Sequence, residues 1–223
     1  MNRDRAVLMK SLDKDNLRFI DFLVEMGFMR DVKIINAFKH VPRHLFVKDK
    51  DMDNAYRDTP LDICADSNIT QPSTVALMLE HLDLNEGDKV LEIGTGSGWN
   101  AALIGYCVGS RGKVVSLEIE KSIATFASGN IIKAGIDNVD VLWKDGASGH
   151  MDMAPYDKVI YTAAVRAVPD IVLAQVKVGG MVLAPIGGKA RQVLTRMEKI
   201  REVEFRKTEL GRIEFRPLVG WGE

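Results

Sequence analysis

The sequence predicts an α/β fold, doubly wound around a mostly parallel sheet, with a helical segment before the sheet and two strands after it. Three observations carry that prediction. From Val75 onward, short apolar runs rich in β-branched residues alternate with helical stretches, the pattern of crossover units. A glycine cluster, Gly94-Thr95-Gly96-Ser97-Gly98, stands where the first of these strands gives way to a helix. The chain has 223 residues, 46% of them hydrophobic and 27% charged, which suits one domain with a real core and short extensions.

Residues 1 to about 50 read as helical and polar-rich. Phe19, Phe22, Leu23 and Met26 recur at three- and four-residue spacings, which predicts a shared helix face. A second helix over Val32–Phe38 ends near Val41-Pro42, because a residue before proline disfavours helical geometry. Residues 51–72 lose periodicity and collect Asp, Asn, Pro and Thr, so they read as a long functional loop. Beyond it come a helix at Val75–Leu82, a strand at Lys89–Ile93, the glycine turn and a helix at Trp99–Val108. A strand at Gly112–Glu118, a helix at Ile123–Ala134 and strands at Val139–Trp143 and Tyr156–Tyr161 follow. A helix at Pro169–Val176 and a strand at Met181–Pro185 close the alternation. Gln192–Leu218 reads as two strands around a turn at Gly211. The expected units are 1–72 (helical segment and loop), 73–190 (the alternating core that carries the glycine cluster) and 191–223 (strands completing the sheet).

Thirty basic against thirty-one acidic residues give a formal charge of −1, which argues against a counterion-releasing nucleic-acid binder. Two cysteines, Cys64 and Cys107, are too few for a disulfide framework or a zinc site. The four histidines are scattered and no pair shows metal-ligand spacing, so no metal is expected. No apolar run reaches the length of a membrane span, and Met1–Arg5 lacks the pattern of a secretory signal. The expectation is a cytoplasmic protein with neither nucleic-acid nor membrane partners.

The glycine cluster carries the chemistry. Glycines after a first strand let a ligand approach the backbone, and the next helix offers free N–H groups and its positive dipole end. Glu118, at the tip of the second strand, is placed to accept two hydrogen bonds from a ribose diol. These features suit both a nicotinamide dinucleotide and S-adenosylmethionine, and three details favour the second. The spacing is Gly-x-Gly-x-Gly; Glu92 precedes the loop, where it would repel a phosphate but not a cationic amino-acid end; and Asp145-Gly146 sets a carboxylate where an adenine amino group could donate. The expected cofactor residues are Glu92, Gly94, Thr95, Gly96, Ser97, Gly98, Glu118, Asp145 and Gly146.

Several stretches together resemble the protein-L-isoaspartate O-methyltransferase family over nearly the whole chain. They are Val41-Pro42-Arg43-His44-Leu45-Phe46-Val47, Ala55-Tyr56-Arg57-Asp58-Thr59-Pro60-Leu61, Val90 to Gly98, and Pro155-Tyr156-Asp157 with Thr162-Ala163-Ala164. Val178-Gly179-Gly180 and Phe215-Arg216-Pro217-Leu218 complete the set. The resemblance implies a Rossmann-like S-adenosylmethionine-dependent methyltransferase fold, with S-adenosylhomocysteine as product. It implies methyl transfer to the free carboxylate of L-isoaspartyl residues in damaged proteins or peptides. It also implies Thr70 as the catalytic hydroxyl, at the family's active-site serine, and Asn68, Ile69, Thr70, Ala164, Val165 and Phe215 as substrate contacts. This sequence departs from the family at Cys64-Ala65-Asp66-Ser67-Asn68, where a Gly-x-Gly-Gln-Thr run is usual, and at Arg216, where a valine is usual. Three other readings stay open at this level. Thr70 could cap the helix that starts at Pro72, Arg43-His44 could contact an acidic peptide or sit at a helix end, and the chain could be a related carboxyl methyltransferase or a non-catalytic cofactor-binding module.

Overall fold

A computed structural model describes residues 3–188 and 191–220, with side chains from Leu8 onward; Met1, Asn2, Lys189, Ala190 and residues 221–223 lie outside it. Five parallel strands form most of a seven-stranded sheet: β3 (Lys89–Ile93), β4 (Lys113–Glu118), β5 (Val139–Trp143), β6 (Tyr156–Tyr161) and β7 (Val176–Gly188). β8 (Arg191–Arg201) and β9 (Glu204–Ile213) add to it antiparallel, in the order β5-β4-β3-β6-β7-β8-β9. A separate ribbon pairs β1 (Leu61–Asp62) with β2 (Asn68–Ile69). The helices are α1 (Arg3–Glu25), α2 (Val32–His40), α3 (Pro72–Leu82), α4 (Trp99–Val108), α5 (Lys121–Lys133) and α6 (Asp170–Leu173).

The central strands read as apolar runs because both their faces are covered. Val90, Val114, Ile160 and Leu183 point into one core with Leu79, Leu82 and Trp99. Their neighbours Leu91, Val115, Val159 and Val182 point into a second core with Tyr156, Val172 and Met197. Each fully buried Val, Leu or Ile contributes roughly 1.5–3 kcal/mol. α4 is apolar all round and buries eight of its ten residues, as a helix enclosed by its neighbours must. The N-terminal segment is tied to this body at Glu80, whose carboxylate accepts from the backbone N–H groups of Arg30 and Asp31 at 2.7 and 2.8 Å.

Four sequence expectations change. α1 buries Leu12, Asn16, Ile20 and Leu23, while Phe22 and Met26 of the expected stripe are exposed. Asn16 belongs to the buried face because its amide donates to the Phe38 carbonyl. The expected helix at 169–176 shrinks to α6, since Tyr156 recruits Val176 into the sheet and donates its N–H to the Gln175 carbonyl. The strand expected at 181–185 runs from Val176 to Gly188. Gly211 is no turn: Glu202-Val203 turns the hairpin, and Gly211, with φ +145°, lies opposite Leu194 at a bulge inside β9. Among the described residues no helix is long and apolar enough to cross a membrane.

Candidate active site

β3 has β4 on one side and β6 on the other, so the strand order reverses at its carboxyl end. Ligands of open α/β sheets bind in the crevice this reversal leaves. Gly94 bonds both ways across it: its N–H donates to the Leu117 carbonyl, and its own carbonyl accepts from the Thr162 hydroxyl. A side chain on Gly94 would stand 2.5 Å from that hydroxyl, which is why the position is glycine. Gly96 has φ +54°, and a Cβ there would meet only the Asn68 carbonyl, at 3.7 Å. Gly96 therefore faces an open space bounded on its far side by the β1–β2 ribbon. Gly98 faces α5 instead, where a side chain would stand 3.1 Å from the Ala127 carbonyl.

Glu118 closes the ligand side of the glycine loop. Its two carboxylate oxygens accept from Gly96 N–H and Glu120 N–H, both at 3.1 Å. A carboxylate offers about four acceptor sites, so one on each oxygen is left for a diol. Glu92 lies beneath the loop and is completely buried. It accepts from the Asn100 amide at 2.7 Å and from the Ser116 hydroxyl, which also pairs with the Thr95 hydroxyl. Burial pushes its carboxyl up to about 7 against the pull of these two donors.

The ribbon carries the other wall. Cys64 accepts from Ser67 N–H, and Ala65 and Asp66 have φ +49° and +53°, so the loop makes a tight left-handed turn without glycine. Such a conformation costs a non-glycine residue roughly 1–2 kcal/mol, strain that the surrounding contacts hold in place. Arg43 supplies the main contact. Its guanidinium is 1% exposed and donates to the carbonyls of Ala55 (2.8 Å), Thr59 (2.9 Å) and Thr70 (3.2 Å), with longer bonds to Arg57 and Ile69. Burial draws its pKa down to about 10, partly opposed by Asp58 and Tyr56, so it stays charged at neutral pH. His44 beside it is buried against the Tyr56 hydroxyl. Neither residue reaches out toward a peptide. Thr70 is not the cap of α3: Gln71 holds that position, and Asp58 accepts from Ser73 N–H at 2.9 Å and from the Gln71 amide. Thr70 lines the cleft.

A strap of residues 214–219 forms the third wall. Gln192 grips its start in both directions, donating to the Phe215 carbonyl and accepting from Phe215 N–H. Ala164 grips its middle, donating to the Arg216 carbonyl and accepting from Leu218 N–H, each at 2.8 Å.

Together these walls enclose a cleft of about 920 Å³, within the range of small-molecule sites. Gly94, Thr95, Gly96, Ser97, Glu118 and Gly146 line it on one side, and Asn68, Ile69, Thr70 and Phe215 on the other. Five expected residues are not among its lining. Glu92 is held below the loop by Asn100 and Ser116. Gly98 faces α5. Asp145 is exposed and caps its own turn by accepting from Ala147 N–H. Ala164 serves the strap through its backbone, and Val165 bridges to Ile186. Asn100 and Gln192 are supports that sequence reasoning missed. Arg43 and Asp58 stand in stretches that resemble the family, but Arg43 holds the ribbon instead of meeting a peptide or a helix end, and nothing in the sequence pointed to that task. Among the described residues no group of His, Cys, Asp or Glu is arranged to hold a metal ion.

Comparison with known proteins agrees with this architecture. The model of the protein-L-isoaspartate(D-aspartate) O-methyltransferase family matches residues 14–222. Protein-L-isoaspartate O-methyltransferase 1 of Archaeoglobus fulgidus is 45% identical over 188 residues, 84% of this chain and 86% of the relative. The Methanospirillum hungatei enzyme of that name is 38% identical over 212 residues, 95% of this chain and 96% of the relative. A solved protein-L-isoaspartate O-methyltransferase superposes with a TM-score of 0.84 at 32% identity; the overlap covers 92% of this chain and 66% of the solved one. A Plasmodium falciparum structure holding S-adenosyl-L-homocysteine shares the fold, with a TM-score of 0.81 at 23% identity over 90% of this chain and 96% of its own. With a family match over nearly its full length and close relatives across two archaeal lineages, this chain belongs to the protein-L-isoaspartate(D-aspartate) O-methyltransferase family.

Proposed function

We propose that this protein transfers a methyl group from S-adenosylmethionine to the free carboxylate of L-isoaspartyl residues in damaged proteins. The observation that carries the reading is the shared cleft, in which the glycine loop with Glu118 faces the hydroxyl-bearing ribbon around Thr70 in a chain of this family. The cleft fits the nucleoside cofactor. Gly96 leaves space that a side chain would fill, and Glu118 keeps acceptor sites beyond the two used by backbone N–H groups.

When bound, the cofactor supplies an electrophilic sulfonium methyl. A free carboxylate is ionised at neutral pH, having a pKa near 4, and needs no base to become a nucleophile. What the chain must supply is position, and well-oriented reactants gain roughly 7–11 kcal/mol from it. Glu118 and the glycine loop hold the nucleoside. The Thr70 hydroxyl donates to one carboxylate oxygen and leaves the other free to attack. Asn68, Ile69 and Phe215 wall the substrate and keep water out. The reading includes a cytoplasmic setting, which the free thiols of Cys64 and Cys107 support.

The test compares an isoaspartyl peptide with its aspartyl twin in a methyl-transfer assay. Only the isoaspartyl peptide should be methylated, and Thr70→Val should slow turnover by roughly ten- to a hundredfold, the value of one charge-assisted hydrogen bond of about 1.5–3 kcal/mol. Thr70→Ser should remain active. A wild-type protein inert on the isoaspartyl peptide defeats the reading.

A further inference from the structure

The charge on the cleft wall is uneven. Asp66, Glu118, Glu120 and Glu214 line it, and Arg216 is the only basic side chain among its described lining residues. The backbone around Arg216 is fixed. Gln192 holds Phe215 at 2.6 and 2.8 Å, and Ala164 N–H donates to the Arg216 carbonyl at 2.8 Å. The side chain is exposed and makes no ion pair within 4 Å to any described residue. A guanidinium presented from a pinned strap, with its planar fork of donors uncommitted, matches a carboxylate.

We infer that Arg216 sets substrate preference, by pairing with the carboxylate of an acidic residue that flanks the isoaspartyl residue in the peptide. The inference rests on the function proposed above. Two arguments assign Arg216 to the flank and not to the reacting carboxylate. The reacting centre has to exclude water, whereas Arg216 is exposed. A fork that gripped both oxygens would also withdraw the lone pairs needed for attack, while a Thr70 hydroxyl occupies only one. Without Arg216 the described lining would carry four acidic side chains and no basic one, a charge balance that disfavours an acidic peptide. The arginine converts that part of the cleft mouth from repelling to accepting.

The experiment uses isoaspartyl peptides identical except for one neighbouring residue, Glu or Gln, placed on either side in turn. For the side that Arg216 reaches, the wild-type protein should favour the Glu peptide by roughly two- to fivefold in kcat/KM, the range of an exposed ion pair. The preference should reside in KM and shrink with added salt. In Arg216→Val the Glu-to-Gln ratio should fall to one or below, and in Arg216→Lys it should be partly kept. A wild-type ratio of one on both sides overturns the inference. So does a ratio that Arg216→Val leaves unchanged, including the case in which both peptides lose activity equally, since Arg216 would then act on the reacting carboxylate or the strap. Absence of methylation of every peptide by the wild type would instead defeat the proposed function, and this inference with it.

Discussion

Arg43 holds the ribbon wall of the cleft in place, and its replacement has a calculable cost. In Arg43→Met the carbonyls of Ala55, Thr59 and Thr70 lose a buried charged donor, at about 1–3 kcal/mol each. Against this, the neutral side chain escapes the burial that draws the arginine's pKa from 12.5 to about 10, worth about 3 kcal/mol. The net loss is on the order of 3 kcal/mol, a large fraction of a typical domain's stability but not all of it. Arg43→Lys keeps a charge but concentrates its donors at one point, so it should recover about half of that loss. Urea unfolding followed by tryptophan fluorescence measures this directly, because Trp99 lies 5.6 Å from the guanidinium and donates its indole N–H to the Val41 carbonyl. The functional consequence is separable. Arg43 touches the ribbon but not the glycine loop, so methyl transfer by the folded variant should fall by roughly ten- to a hundredfold, as expected for a misplaced Thr70. The affinity for S-adenosylhomocysteine should change far less. An Arg43→Met protein within about 0.5 kcal/mol of wild type and fully active would refute the clamp.

Three further perturbations test the cofactor side. Glu118→Ala removes the acceptor of Gly96 N–H and Glu120 N–H together with the sites left for the ribose, so calorimetry should show S-adenosylhomocysteine binding weakened by about 1.5–3 kcal/mol; unchanged affinity would remove Glu118 from the site. Gly96→Val projects a branched side chain toward the Asn68 carbonyl and strains a left-handed residue, so binding should vanish at a stability cost of about 1–2 kcal/mol; normal binding would place the cofactor elsewhere. Glu92 has a folded pKa of about 7 against 4.5 for the free group, so the folded state binds more protons between these values and stability falls as pH rises through the window. Relative to Glu92→Gln, the wild type should lose about 3 kcal/mol of unfolding free energy between pH 4.5 and 7; a pH-independent difference would mean that Glu92 titrates normally.

The central sheet and the glycine loop are legible in the sequence because both are local in their causes. Strands β3, β4 and β6 are buried along nearly their whole length, so they read as apolar runs, while the edge strand β5 only half-buries Val139, Val141 and Leu142; the limits of all four agree with expectation to within one residue. Gly94, Gly96 and Glu118 were legible because a strand, a tight turn and a helix must follow in that order for the crevice to exist. The tertiary structure decided whatever depended on a distant partner. Val176 looked helical until Tyr156 drew it into the sheet, and Gly211 looked like a turn until Leu194 was found opposite it. Ala164 and Val165 were expected as substrate contacts, yet their backbones hold the strap and β7 and neither lines the cleft. Asn16 is polar in sequence and buried in the fold because Phe38, far along the chain, supplies its acceptor. The same holds for Arg43: sequence gave it a charge, but only folding gathers five carbonyl groups around one guanidinium, since backbone acceptors are present at every residue and carry no sequence signature.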